Sequence, residues 1–326
     1  MIISRRTILT GLATSIALPI RQASAATTLR WGTVLPVSHP AVAMMNKVAK
    51  EVLDATGGAL VIETYPSGQL GSSRDVIEAV SSGAIQLVDE GAAQFGQFVP
   101  AFSILEAPYI WRDPAHMRRA LGSAILDGMN AQLTSKRDMR IIGATYYGTR
   151  HVTAGTRAVK TVEDMRGFKL RIPEVDTYRA MAEAWGARPT PLNIGELYLA
   201  LSQGAVDGEE NPLPTIQSSK FFEVQKYLAL TAHILTPRLI AINETAWSGL
   251  DARAKDALQA ALVKYGQEQD AEIVRQEGQL VETFRAAGMV VEAVDIESFR
   301  KPVLASLPKL FEAKWGAGLW EKVAAA

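Results

Sequence analysis

The chain has 326 residues, 34 basic against 34 acidic side chains, and no cysteine, which excludes a disulfide scaffold, a thiolate nucleophile and a cysteine-ligated metal or iron–sulfur centre. With 48% apolar and 21% charged residues, the composition is that of a globular protein long enough for two domains of about 150 residues each. Zero formal net charge leaves no electrostatic footprint for nucleic acid, so the expected partner is a small molecule.

Residues 1–25 carry the pattern of a cleaved export signal. Ser4-Arg5-Arg6 opens a positive segment, Ile8 to Ile20 is mostly apolar, and Ala23-Ser24-Ala25 offers a small-residue cleavage site. The apolar run is too short to span a bilayer. Paired arginines before Thr7-Ile8-Leu9 resemble the twin-arginine export signal and place the mature protein in a periplasm. Cleavage removes Arg5, Arg6 and Arg21 and no acid, leaving 301 residues with a formal charge of −3. No later segment reads as a membrane span.

Along the mature chain, Leu29 to Val34 alternates as an opening strand, and Ala41 to Ala55 recurs at helical spacing until Gly57-Gly58. Ala59 to Tyr65 is the next strand, followed by the turn-rich Pro66-Ser67-Gly68-Gln69-Leu70-Gly71. Ser72 or Ser73 caps a helix to about Val80, and Gly83 to Val88 is a third strand. Arg140 to Tyr147 gives another strand, with Gly148-Thr149 as a turn. Thr161 caps a short helix with Asp164 three residues on, and Phe168-Lys169-Leu170-Arg171-Ile172 returns as a strand. Helices are expected at Tyr178 to Trp185 and Glu196 to Gln203. A long amphipathic helix runs from Ala252 to about Arg285, a strand covers Val290 to Val294, and helices at Phe299 to Phe311 and Trp315 to Val323 finish the chain. Alternating strands and helices define an α/β fold. The lack of a clean linker points to two domains joined by more than one crossing.

Several chemistries are missing their signatures. There is no Gly-x-Gly-x-x-Gly and no Walker-type lysine, and the four histidines, His39, His116, His151 and His233, are widely separated. No nucleophile elbow is present. No cofactor, metal or catalytic residue is therefore assigned.

The informative residues are polar ones at strand ends. Arg150 follows the strand and turn at 140–149, and Arg171 lies inside an otherwise apolar strand. A guanidinium is a planar fork that holds a carboxylate through two parallel hydrogen bonds, which lysine cannot copy. In the Glu196 to Pro212 segment, Gly204 and Gly208 permit tight reversals, and Asn211 before Pro212 is restricted to an extended backbone. Its amide can both donate to and accept from a bound acid or hydroxyl.

With these residues in view, the chain closely resembles the substrate-binding protein of tripartite ATP-independent periplasmic (TRAP) transporters, the DctP-like family. Thr56-Gly57-Gly58, Tyr65 to Gly71, Leu170-Arg171-Ile172-Pro173, Gly186 to Pro191 and Glu196 to Pro212 carry the likeness across nearly all of residues 29–320. It implies a two-lobe periplasmic binding protein fold with hinge strands, a long connecting helix and a ligand cleft. The expected lobes are residues 26–148 with about 237–276, and 149–236 with about 277–326. It implies, too, a small carboxylate-containing solute, capture without turnover, and delivery to TRAP-type membrane permease subunits. Carried over by motif, Arg171 is the principal carboxylate clamp, Arg150 a second arginine near the anion, and Asn211 a polar contact from the second lobe. Glu210, Gln94, His39 and Asp89 are further cleft positions, with Tyr147, Phe168 and Trp247 as walls. Asp89-Glu90 argues against a simple dicarboxylate, because an acid in the pocket repels a second anion yet accepts from hydroxyls or an amine, which leaves a sugar acid, a hydroxy acid or another small monocarboxylate open. Two other readings stand beside transport: an exported hydrolase or lyase acting on an organic acid, and a periplasmic ligand sensor.

Overall fold

The computed structural model describes residues 26–326; the export signal read at residues 1–25 lies outside the described residues. Leu29 and Trp31 turn inward from β1 (Thr27–Gly32), which pairs in parallel with β2 (Leu60–Tyr65). Between them α1 (Pro40–Thr56) buries Met45, Val48 and Val52, begins at a His39 cap with Pro40 in its first turn, and ends at Gly57 in the left-handed region. The expected cap of α2 (Ser73–Ser81) is a complete capping box between Ser72 and Asp75.

β3 (Leu87–Gly91) starts later than expected and runs on through Asp89 and Glu90, all five residues buried. Residues 83–86 are spent reversing the chain after α2, and Arg238 opposite makes burial of the two acids tolerable. Short turns at Ala92–Gln97 and Pro100–Glu106 lead into α3 (Pro114–Leu121) and α4 (Ala124–Arg137).

β4 (Met139–Ala154) is twice the expected length. Gly148-Thr149 is not a strand end: Gly148, at φ 126°, sits in a register shift between Tyr146 and Gly148, and the strand continues. Arg150 is thus in mid-strand, not beyond one. A second unit follows, made of β5 (Lys169–Ile172), α5 (Asp176–Ala184), β6 (Arg188–Pro191), α6 (Ile194–Ser202) and β7 (Gly208–Pro212), with β6 and β7 both parallel to β5. After α7 (Leu213–Ser218) comes β8 (Tyr227–Asn243), a 17-residue strand absent from the expected elements. α8 (Glu244–Gly249), the 35-residue α9 (Ala252–Ala286), β9 (Val290–Glu292), α10 (Ile296–Trp315) and α11 (Leu319–Ala325) complete the chain.

The strands form one mixed nine-stranded sheet in the order β2-β1-β3-β8-β4-β7-β5-β6, with β9 beside the start of β8. β4 and β8 pair antiparallel over most of their length. β3 joins only the late half of β8, from Arg238 to Ile242, and β7 only the late half of β4, from Arg150 to Ala154. Each long strand therefore belongs to both α/β lobes. α9 packs on α1 and β4 and reaches α7 and β9. The helix expected at Ala252 to Arg285 and the strand after it are both observed.

Candidate functional site

Where the two long strands pass from one lobe to the other, a cleft opens, part of it continuous with solvent. Three buried arginines line it: Arg150 from β4, Arg171 from β5 and Arg238 from β8.

Arg150 is committed to the protein. Its Nε donates to Glu210 Oε2 at 2.5 Å, and its Nη2 donates to Glu210 Oε1 at 2.9 Å and Asn211 Oδ1 at 3.0 Å. Register makes this possible, because β4 places Arg150 opposite Pro212, one residue from Asn211 and two from Glu210. Burial alone would raise the Glu210 carboxyl, but Arg150 and a 3.0 Å contact with His233 Nε2 outweigh it and hold it below the ordinary range. Glu209 beside it is pushed up to about 7, chiefly by burial, although Asn211 Nδ2 and Thr153 Oγ1 both donate to it.

Arg238 is paired as well. Its Nε donates to Asp89 Oδ1 at 2.9 Å and its Nη2 reaches Glu90 Oε2 at 3.3 Å, while the guanidinium lies 4.9 Å from the centre of the Tyr147 ring. Arg171 differs. It is 3% exposed, its Nε and Nη2 both donate to the Leu192 carbonyl at 2.8 and 2.6 Å, and no carboxylate among the described residues forms an ion pair with it. Burial lowers its pKa against the pull of Glu210 and Glu209, yet a guanidinium keeps its charge in proteins. Among the described residues, none accepts a hydrogen bond from the Nη1 of any of the three arginines.

Of the residues singled out in the sequence, Arg171, Arg150, Asn211, Gln94 and Tyr147 line the cleft. Glu210, Asp89 and His39 stand behind the wall. Glu210 holds Arg150 and Asp89 holds Arg238. His39 caps α1 through Nδ1, its ring 5.2 Å from that of Tyr147, and burial with the nearby Arg238 lowers its pKa to about 3. Phe168 is wholly buried in the core, and Trp247 is half-buried on α8, past the end of β8 and away from the cleft. Arg238, Glu106, Tyr178 and Thr236 line the cleft without having been singled out. Arg238 carried the same signal as Arg171, a charge within an apolar strand, in Pro237-Arg238-Leu239-Ile240.

Two α/β lobes that share their long strands and enclose a charged cleft define a solute-binding protein. Residues 31–314 match the family described as bacterial extracellular solute-binding protein, family 7, and the chain belongs to this DctP family, the periplasmic solute-binding proteins of TRAP transporters. The sialic acid-binding periplasmic protein of Vibrio cholerae is 34% identical over 302 residues, 93% of this chain and 94% of that one. A TRAP periplasmic solute-binding protein from a Polaromonas species, bound to D-erythronate, superposes with a TM-score of 0.87 at 32% identity, covering 92% of this chain and 99% of that one. Another from Actinobacillus succinogenes, with bound L-galactonate, gives a TM-score of 0.87 at 27% identity over 92% and 98%.

Proposed function

We propose that this protein captures a small organic acid through its carboxylate and delivers it unchanged to TRAP membrane permease subunits. The observation that carries the reading is Arg171, a buried guanidinium in the cleft with only a carbonyl as partner. An uncompensated buried charge is costly, and a ligand carboxylate supplies the missing counter-ion through a charge-assisted fork. Arg150 and Asn211, already oriented by Glu210 and Glu209, present a free Nη1 and an amide to the same anion. Tyr147 and Gln94 complete the direct contacts, while Glu210, Asp89 and His39 position groups that touch ligand. Binding without turnover fits a cleft whose buried acids are engaged in holding arginines or in hydrogen bonds to tyrosine, threonine and amide groups.

The lobes of this reading are residues 26–148 with about 237–276, and 149–236 with about 277–326. The register shift beside Gly148 and the Thr236-Pro237 step of β8 face each other where the strands change lobe, which suits them to act as the hinge.

A thermal-shift screen of organic acids tests the reading, with each stabilising acid recovered and identified after incubation. Arg171→Ala is expected to weaken the acid found by about 100-fold or more, and Arg171→Lys by about tenfold or more, since lysine restores charge without the fork. Unchanged affinity in Arg171→Ala, or conversion of the acid to product, would falsify it.

A further inference from the structure

The cleft has a second polar wall that the carboxylate clamp leaves unused. Glu90 at the end of β3, Glu106 at the end of the Pro100–Glu106 turn, and Thr236 and Arg238 of β8 all line it, and all four are buried. Glu106 has no cationic partner in contact among the described residues. Its oxygens accept from the Ala93 backbone N–H at 2.8 Å and from the Tyr178 hydroxyl, and a carboxylate offers about four acceptor sites, so acceptor capacity remains. Glu90 touches Arg238 at 3.3 Å, but the Arg238 Nε is already taken by Asp89. The Thr236 hydroxyl is buried with no hydrogen-bond partner among the described residues. A buried acceptor left without a donor costs free energy that a ligand recovers by supplying one.

Three kinds of ligand group are candidates. A second carboxylate brings an anion against Glu90 and Glu106. An ammonium satisfies the acids but is placed beside Arg238, with the field of Arg150 also reaching Glu106. A hydroxyl adds no charge, donates to Glu106 or Glu90, and accepts from the free Nη1 of Arg238.

We infer that Glu106, Glu90 and Arg238, with Thr236, form a hydroxyl-reading subsite. It makes the captured acid a polyhydroxylated monocarboxylate and rejects a second terminal carboxylate. The inference rests on the Arg171 clamp, which holds the acid end while this wall reads the tail.

Isothermal titration of the purified protein with matched acids tests it. The probes are erythronate, xylonate, gluconate and galactonate, their dicarboxylic counterparts, the unsubstituted acids of equal length, and ω-amino acids of equal length. At least one hydroxylated monocarboxylate is expected to bind about tenfold or more tightly than its dicarboxylic, unsubstituted and amino counterparts. Glu106→Gln and Glu90→Gln remove the repelling charge and are expected to shrink the preference over the dicarboxylate about tenfold. That ratio is internal to each variant, so partial loss of fold does not imitate it. A dicarboxylate, amino acid or unsubstituted acid as the tightest ligand overturns the subsite, as does an unchanged ratio in both variants. Arg171→Ala separates the two ideas. Its loss of all binding with a failed preference sinks the subsite alone, whereas undiminished binding, or no binding of any acid by the wild type, sinks the clamp and the subsite together.

Discussion

Three buried arginines converge on one cleft, and their partners separate their roles. Arg150–Glu210 and Arg238–Asp89 are closed pairs, in which loss of one member leaves a buried charge at a cost of about 3–5 kcal/mol. Arg171 is open. Beneath them Glu209 keeps its proton up to about pH 7 in the fold and releases it near 4.5 when unfolded, so unfolding releases a proton in that window and stability falls as pH rises through it. His39 and His151 act in the opposite sense, because burial lowers both from 6.5 to about 3 and stability rises with pH between those values. Glu209→Gln removes the Glu209 share of the falling limb and leaves the shares of the other raised carboxyls, such as Glu90 and Glu106, in both proteins. Its stability relative to wild type is expected to grow by up to about 3 kcal/mol between pH 4.5 and 7, read from urea denaturation at stepped pH. Parallel profiles for the two proteins would rule out the raised carboxyl. Arg171 was legible because a charge in Lys169-Leu170-Arg171-Ile172 is anomalous locally. Its freedom from an acid was not, since Glu210 lies 39 positions on and its choice of Arg150 depends on strand register.

At the scale of the element, β7 delivers Glu209, Glu210 and Asn211 to the site, and its approach to β4 depends on Gly208. A Cβ there would stand 2.0 Å from the Thr153 carbonyl oxygen and 2.8 Å from the Phe168 ring. Gly208→Ala is therefore expected to destabilise the protein by about 1–3 kcal/mol or more, seen as a lower urea midpoint, and to weaken acid binding. An unchanged midpoint would show that β7 can move away without cost. Helices with caps and glycine stops were readable to within a few residues, as α1, α2 and α9 are, because a cap is a local hydrogen bond between neighbours in sequence. The long strands were not. β4 passes through Gly148, which reads locally as a turn, and is kept extended by β8 pairing alongside it about 90 residues later, with β7 joining from Arg150 onward.

For the whole molecule, β4, β8 and α9 tie both lobes into one body while leaving the cleft open to solvent at its mouth. A ligand that binds only the folded protein stabilises it by about 2.7 kcal/mol at 100 times its dissociation constant. The acid found in the screen is expected to raise the melting temperature accordingly and, by drawing the lobes together about the hinge, to lower the radius of gyration in solution scattering. A melting shift with no change in scattering would mean that the acid binds without closure.

The sequence by itself determined the family, the alternation of strands and helices, the capped helices and the anomalous arginine at 171, since each is written in neighbouring residues or in ordered motifs along the chain. Only the tertiary structure decided which arginine stays unpaired, that Arg238 and Glu106 share the cleft, and that Phe168 and Trp247 lie away from it. Those outcomes depend on antiparallel register between strands such as β3 and β8, whose paired Asp89 and Arg238 lie 149 residues apart. A one-residue slip turns a side chain to the other face of the sheet, so no local pattern specifies the pairing.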